Sequence, residues 1–240
     1  MAGVFYFPEL GESDTTVNLV GEEARHAVSV RRIRVGEEVS VTNGRGLIAT
    51  CNVTSIANKP PSLELSIRQV SVVPAPRAIH LAAAMPKGDR QRVLLDMATQ
   101  VGISEFTPLL CQRSVSKEND KAQERWQRIC LEAMKQSRRA WLPRVNPSIE
   151  LTSFVDLLPK DRVLCCASAD GQDVLGMTSI EPETGIAVVV VVGPEGGFTE
   201  NEIGYLRRAG ALEFNLGDGV LRTETAAVVA AAVVRLLHSK

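Results

Sequence analysis

Two short stretches of this 240-residue chain combine residue types that chemistry can use. The first, Gly193-Pro194-Glu195-Gly196-Gly197-Phe198, directly follows a continuously apolar run over residues 186–192. Pro194 stiffens the turn, Gly196 and Gly197 permit positive φ and close approach of backbone to a ligand, and Glu195 places a carboxylate between them. The segment reads either as a ligand loop or as a tight strand-to-helix turn with a solvated Glu195. The second stretch is Leu216-Gly217-Asp218-Gly219-Val220-Leu221-Arg222-Thr223-Glu224-Thr225-Ala226. Thr223 can cap the helix that begins there, and Glu224 carries the charge that a helix start favours. Arg222 has no such explanation. A cation at the positive end of a helix costs ~0.3–1 kcal/mol, so Arg222 either answers to an anion or to developing negative charge, or is simply solvated.

A third segment, residues 120–141, carries two stripes at helical spacing. Trp126, Ile129, Cys130, Ala133, Met134 and Ser137 form a core-facing row. Lys121, Arg125, Arg128, Lys135 and Arg139 form a basic one, interrupted by Glu132 and flanked by Arg138. With Arg113, Lys117 and Arg144 it is either a solvated face or a set of phosphate contacts.

Several chemistries have no raw material. There is no Gly-x-Gly-x-x-Gly for a dinucleotide and no Gly-x-x-x-x-Gly-Lys-Ser/Thr for a nucleotide phosphate. The three histidines are His26, His80 and His238, too few for His-based triads or metal clusters, and no metal is expected. Cys51, Cys111 and Cys130 stand alone, and Cys165 and Cys166 lie in an apolar run, the pattern of buried reduced thiols.

The elements that must position these loops follow from punctuation. Pro74 and Pro76 hold the chain extended and mark a linker. Before it, β-type runs at 4–7, 17–20, 38–42, 47–54 and 63–72, a hairpin turn at Asn43-Gly44-Arg45-Gly46 and one helix over 22–31 predict a small β-barrel. After it, apolar runs at 79–84, 106–110, 163–167, 186–192 and 212–216 alternate with helical patterns. One of these helices runs from a cap at Asp89 to Gly102, and another starts in a capping box of Thr199 and Glu202. This is an α/β pattern with a mostly parallel sheet, whose ligands sit beyond the carboxyl ends of the strands. The helix over 226–237 is apolar on every side until Arg235 and must be covered on all faces, in the core or by another subunit.

Length and charge agree with two domains. At 240 residues the chain holds one large domain or two of the common ~100–150-residue size. No run reaches the ~18 apolar residues of a membrane helix, and the N-terminus lacks a secretory signal, so a cytoplasmic protein is expected. The total of 27 basic against 28 acidic side chains argues against a nucleic-acid partner only while it is taken whole. Residues 77–144 carry 13 basic against 7 acidic and residues 145–240 carry 7 against 13, so a basic middle lies beside an acidic final third.

Together these segments resemble the 16S ribosomal RNA uracil-N3 methyltransferases of the SPOUT, or trefoil-knot, class. The resemblance rests on Arg25-His26-Ala27-Val28-Ser29-Val30-Arg31-Arg32-Ile33-Arg34 with Val35-Gly36-Glu37, on Pro86-Lys87-Gly88-Asp89-Arg90, on Thr107-Pro108, on Gln136-Ser137 with Arg139, and on the two glycine-containing loops. It implies an α/β SPOUT trefoil-knot methyltransferase domain at 74–240, preceded by a PUA-like RNA-binding β-barrel at 1–73, in a homodimer. It also implies S-adenosylmethionine as cofactor, held by Val192, Gly193, Gly196, Leu216, Gly217, Val220, Leu221 and Ala226. RNA contacts transfer to Arg31, Arg32, Arg34, Lys87, Arg90 and Arg139, and the RNA is 16S ribosomal RNA in the small subunit. Arg222 and Glu195 become the catalytic pair: Arg222 to hold an anionic uracil, Glu195 either to order the cofactor loop or to take part in proton removal.

The chain departs from the family pattern at Met97, where relatives carry Lys, at Gln100-Val101-Gly102, at Lys135 and Arg138, and at Gly219. These positions bear on RNA contacts more than on the cofactor loops. A SPOUT enzyme acting on another RNA, or a ribosome-assembly protein that binds RNA without methyl transfer, stays open on the sequence alone.

Overall fold

In β2 (Thr16–Val20), Val17 and Leu19 are buried while Thr16, Asn18 and Val20 are exposed, the alternation of a strand with one face on a core. The structure, a computed structural model, describes residues 3–114, 121–173 and 187–237. The expectations at Lys117, Asp120, Ile186 and His238 lie outside them. The chain divides into two units, Met1–Ala75 with Met134–Leu142, and Pro76–Ala133 with Pro143–Lys240.

In the first unit β2 joins β1 (Val4–Tyr6), β3 (Glu38–Thr42), β4 (Leu47–Asn58) and β5 (Pro61–Val72) in the order β1-β3-β4-β5-β2. Phe5, Leu19, Val39, Val41, Leu63 and Leu65 fill the core of the sheet. The turn between β3 and β4 is the expected hairpin: Asn43 Oδ1 accepts from the amides of Arg45 at 2.8 Å and Leu47 at 3.1 Å. Gly46 there has φ +99°, and a Cβ on it would lie 2.6 Å from the Trp141 ring.

β4 and β5 run further than their apolar patterns reach, meeting at Asn58 and Pro61. The residues added to β4 are mostly exposed and those added to β5, Pro61 and Ser62, are half-buried without apolar alternation, so only backbone pairing marks them. The helix over 22–31 is present in another form. α1 (Gly21–Arg25) passes into a wider π-helical stretch over His26–Arg31, closed by Arg32 at φ +53°. That closure buries Ile33 and leaves Arg31, Arg32 and Arg34 exposed.

Lys135 corrects the basic stripe. It is 8% exposed, and its Nζ lies 2.7 Å from Glu23 Oε1, while Glu23 Oε2 accepts from the Tyr6 amide at 3.1 Å. Helical spacing gave it the face of Arg128, but this ion pair makes it part of the first unit's interior.

The second unit is a parallel sheet in the order β12-β10-β11-β6-β7-β8, with β9 also beside β7. Its strands are β6 (Ile79–Ala84), β7 (Glu105–Leu110), β8 (Arg144–Val145), β9 (Ile149–Glu150), β10 (Val163–Asp173), β11 (Val188–Val192) and β12 (Leu212–Asn215). Every pair among them is parallel. β11 is five valines, all buried, as a strand covered on both faces requires. The helices are α2 (Arg90–Val101), α3 (Ala122–Gln136), α4 (Leu151–Leu157), α5 (Glu200–Arg208) and α6 (Thr223–Leu237). Gly102 ends α2 at φ +97°, as expected, but the Asp89 side chain caps nothing.

α6 packs on α2, β6 and β11 through Ala227, Ala230, Ala231 and Val234. Among the described residues it is not covered on all faces. Val229, Ala232 and Val233 are half-buried and Leu236 is 70% exposed, and on α2 Val93 and Met97 are likewise open. The five cysteines are free and buried, and burial pushes each thiol up, Cys51 and Cys130 to about 11 and Cys111, Cys165 and Cys166 to about 12.

Truncating Lys135 leaves the Glu23 carboxylate partly buried without its counter-charge, which costs about 3 kcal/mol. Lys135→Met is expected to lose that much in urea unfolding, and the double variant Glu23→Gln/Lys135→Met to lose clearly less. Equal losses would assign the effect to packing alone.

Candidate functional site

Because the sheet is parallel, the segments after β6, β7, β11 and β12 all leave from its carboxyl edge. After β11, Val192 is buried, the Gly197 amide donates to the Pro194 carbonyl at 2.8 Å, and Gly197 has φ +68°. The turn therefore closes on itself with Glu195 and Gly196 outermost and exposed. A Cβ at Gly193 would lie 3.1 Å from the Phe198 ring, so glycine is what lets that ring fold back.

The turn is fastened from two sides. Thr199 and Glu202 form the expected capping box: the Thr199 amide donates to Glu202 Oε2 at 2.7 Å and the Glu202 amide donates to Thr199 Oγ1 at 3.3 Å. Glu202 Oε1 also accepts from the Gln112 amide at 2.9 Å, joining this turn to the segment after β7. From that same segment, Arg113 Nη1 donates to the Gly196 carbonyl at 2.7 Å. Arg113 was grouped with the basic stripe, and its hydrogen bonds to the glycine loop come from a segment 83 residues away, which local sequence pattern cannot register.

After β12, the Gly217 amide donates to Asn215 Oδ1 at 3.1 Å and Gly217 has φ +112°. Leu216 and Leu221 are half-buried, Val220 is fully exposed, and Cβ atoms at Gly217 or Gly219 would meet nothing within 4 Å. The Arg222 carbonyl accepts from the Ala226 amide at 2.8 Å, which makes Arg222 the residue that opens α6. Its guanidinium is exposed and has no hydrogen bond or ion pair among the described residues. Thr223 lies inside the helix, buried, with its hydroxyl unpaired, so the cap expected of it is not made. Glu224 sits in the first turn as expected and is 7% exposed. Ala226 is half-buried on the same turn.

The residues expected to touch RNA divide into two groups. Arg31, Arg32, Arg34 and Lys87 are exposed. Arg90 is engaged with carboxylates, at 3.0 Å from Glu195 and 3.8 Å from Glu224, and Arg139 is half-buried beyond the end of α3. Arg125 donates to Gln91 Oε1 at 2.8 Å, leaving fewer free cations on α3 than the stripe promised. His80, at the amino end of β6 and so on the opposite edge of the sheet, is held below its ordinary range by burial, against the pull of Glu105. Among the described residues no cluster of three or more His, Cys, Asp or Glu could hold a metal ion, and no helix is long and apolar enough to cross a membrane.

Known proteins share this arrangement. An RNA methyltransferase domain family matches residues 73–235, and an RNA methyltransferase PUA domain family matches residues 19–66. A ribosomal RNA small subunit methyltransferase E from Mycobacterium bovis is 32% identical over all of this chain and 94% of its own length. One from Bacillus subtilis is 31% identical over 95% of this chain and 94% of its own. Among solved structures, a ribosomal RNA small subunit methyltransferase E from Neisseria gonorrhoeae bound to S-adenosylmethionine superposes with a TM-score of 0.90 at 30% identity, covering 99% of this chain and 98% of that one. A putative methyltransferase from Legionella pneumophila with the same cofactor bound gives 0.87 at 27% identity, over 98% of each chain. The PUA-like and α/β domains, the glycine-containing edge loops and these full-length matches have one common source: the chain belongs to the ribosomal RNA small subunit methyltransferase E family of RNA methyltransferases.

Proposed function

We propose that this chain uses S-adenosylmethionine to methylate N3 of a specific uridine in the 16S ribosomal RNA of the small ribosomal subunit, as a cytoplasmic homodimer. The observation that carries the reading is Arg222: an exposed guanidinium with no partner among the described residues, opening a helix whose dipole opposes it, next to glycine loops at the carboxyl edge of a parallel sheet. Residues 1–73 act as the RNA-binding barrel, through Arg31, Arg32 and Arg34, and residues 74–240 carry the transfer, with Lys87 and Arg139 as further RNA contacts.

The residues present fit the cofactor. Leu216, Val220 and Leu221 offer apolar surface for an adenine, the backbone at Val192, Gly193, Gly196 and Gly217 brings amides and carbonyls to its edge, and Ala226 leaves room at the first turn of α6. Glu195 and Glu224 set negative charge near those loops, which suits a sulfonium. Bound S-adenosylmethionine supplies a methyl group made electrophilic by that positive sulfur. What the chain must supply is a uracil able to attack. N3 carries a proton at neutral pH, and its removal leaves charge shared between N3 and the two carbonyl oxygens that flank it. Arg222 presents a planar fork of N–H donors to that charge, and no partner among the described residues competes for it. The uridine has to be unpaired or flipped, since N3 is otherwise hydrogen-bonded to another base. Glu195 either takes the proton or holds the loop.

The homodimer has support in α2 and α6, which pack on each other and both leave apolar side chains open: Val93 and Met97 on one, Val229, Val233 and Leu236 on the other. A second copy covers such a surface.

Calorimetry on the purified chain is expected to show S-adenosylmethionine binding, and incubation with small subunits lacking the modification is expected to yield 3-methyluridine in 16S RNA by mass spectrometry. Absence of binding removes the enzyme reading, and methyl on carbon, ribose or transfer RNA alone replaces the target. Arg222→Ala should lower kcat by about 100-fold or more, the cost of losing an oxyanion donor, with cofactor affinity largely kept; unchanged turnover refutes its role. Met97→Glu/Leu236→Glu should halve the mass seen by sedimentation, and an unaltered dimer would place the interface elsewhere.

A further inference from the structure

Arg90 is the first residue of α2, in the Pro86-Lys87-Gly88-Asp89-Arg90 segment whose resemblance suggests an RNA contact. Its surroundings point to other work. Nη1 lies 3.0 Å from Glu195 Oε1 and 3.8 Å from Glu224 Oε2, and about two thirds of the side chain is buried. Glu195 is the centre of the glycine turn after β11. Glu224 is two residues beyond Arg222 in the first turn of α6. Its Oε2 is buried with no hydrogen bond, so the guanidinium of Arg90 is the counter-charge that oxygen has.

From this geometry we infer that Arg90 is a positioning residue for methyl transfer and not a phosphate contact: one guanidinium fixes the Glu195 turn and the start of α6, and therefore Arg222, in register with each other. The inference rests on the function proposed above. Three segments distant in sequence, the start of α2, the turn after β11 and the first turn of α6, meet at this one side chain. Nothing else described ties the turn after β11 to the start of α6: Arg113 and Glu202 fasten it only to the segment after β7. Both carboxylates lie near the same nitrogen, Nη1, which the rigid guanidinium plane holds in place, whereas a lysine ammonium there approaches them as a freely rotating point charge. If Arg90 is lost, the buried Glu224 carboxylate is uncompensated and the first turn of α6 has to shift toward water. A displacement of about 1 Å in a group that meets the reacting base costs on the order of 100-fold in rate.

The test uses the full chain and compares Arg90→Ala, Arg90→Lys and Glu195→Gln with the parent, measuring S-adenosylmethionine affinity by calorimetry, kcat and KM on small subunits, and the salt dependence of RNA binding. Arg90→Ala is expected to weaken cofactor binding about tenfold and to lower kcat, with KM for the RNA substrate and the salt slope of RNA binding as in the parent. Arg90→Lys should recover part of both losses. Adding Glu195→Gln to Arg90→Ala should lose less than the two single losses combined, because the substitutions break the same contact. The inference is overturned if cofactor affinity and kcat are unchanged, or if RNA affinity falls with the salt slope reduced by about one, the signature of a lost phosphate contact. Where Arg90→Ala does not fold, as judged by its melting curve, Arg90→Lys and Glu195→Gln decide by the same readings. A parent that binds no S-adenosylmethionine would instead sink the proposed function itself.

Discussion

Every strand pairing in the second unit is parallel, and that constraint determines where its functional groups can be. Parallel strands point their carboxyl ends the same way, so four connections that are far apart in sequence emerge at one edge of the sheet. The sheet itself needs only apolar bulk: five buried valines make β11, with the small residues Ala82, Ala83 and Ala84 beside them in β6. Specificity is confined to the loops. Two loops rich in glycine could not hold a shape by their own packing. The one after β11 is held by contacts to other segments at the same edge, Glu202 to the Gln112 amide, Arg113 to the Gly196 carbonyl and Arg90 to Glu195, while the one after β12 is fastened by Asn215 Oδ1 to the Gly217 amide, with Arg90 near Glu224 just beyond it.

The charge balance follows from the same arrangement. A nearly neutral total conceals a basic middle and an acidic final third, and at the sheet edge residues from the two are joined in pairs. Arg90, Arg113 and Arg125 come from the basic segment, and all three are engaged with protein acceptors. Lys135 is buried against Glu23. A count of cations along a helix or segment therefore overstates the surface left for phosphates. Of the cations expected to touch RNA, those that stay exposed, Arg31, Arg32, Arg34 and Lys87, lie in loops and helix ends, where long side chains reach solvent without disturbing a core.

What could be read from the sequence was what depends on neighbours close in the chain. The Asn43 hairpin, the Thr199 capping box, the Gly102 helix end and the valine strand involve residues no more than a few positions apart, and the structure has them. Arg222 was legible for the same reason, since a helix start and its dipole are local. The partners of Arg90, Arg113 and Lys135 were not, because they lie 83 to 134 residues away in sequence and local pattern has no access to them. The ends of β4 and β5 carry no apolar alternation, β4's because it is mostly exposed and β5's because it is a half-buried proline and serine, so the sequence pattern stops short of them. The cap assigned to Thr223 failed for a different reason: α6 opens one residue earlier, at Arg222, which turns the hydroxyl into the helix interior.

That shift of one residue leaves the start of α6 with an unfavourable local choice. A threonine in the capping position would satisfy one of the helix's free amides, a contribution of typically ~1 kcal/mol, and an arginine in its place adds a charge of the wrong sign. The next residue but one answers with Glu224, buried where the positive end of the helix and Arg90 both favour a carboxylate. So the local rule is broken at one position and compensated two residues later, with an ion pair reaching across from α2. Stability alone would put the threonine first. An arginine at that point, with a buried acid two residues on, fits the proposal that the guanidinium meets an anion outside the protein.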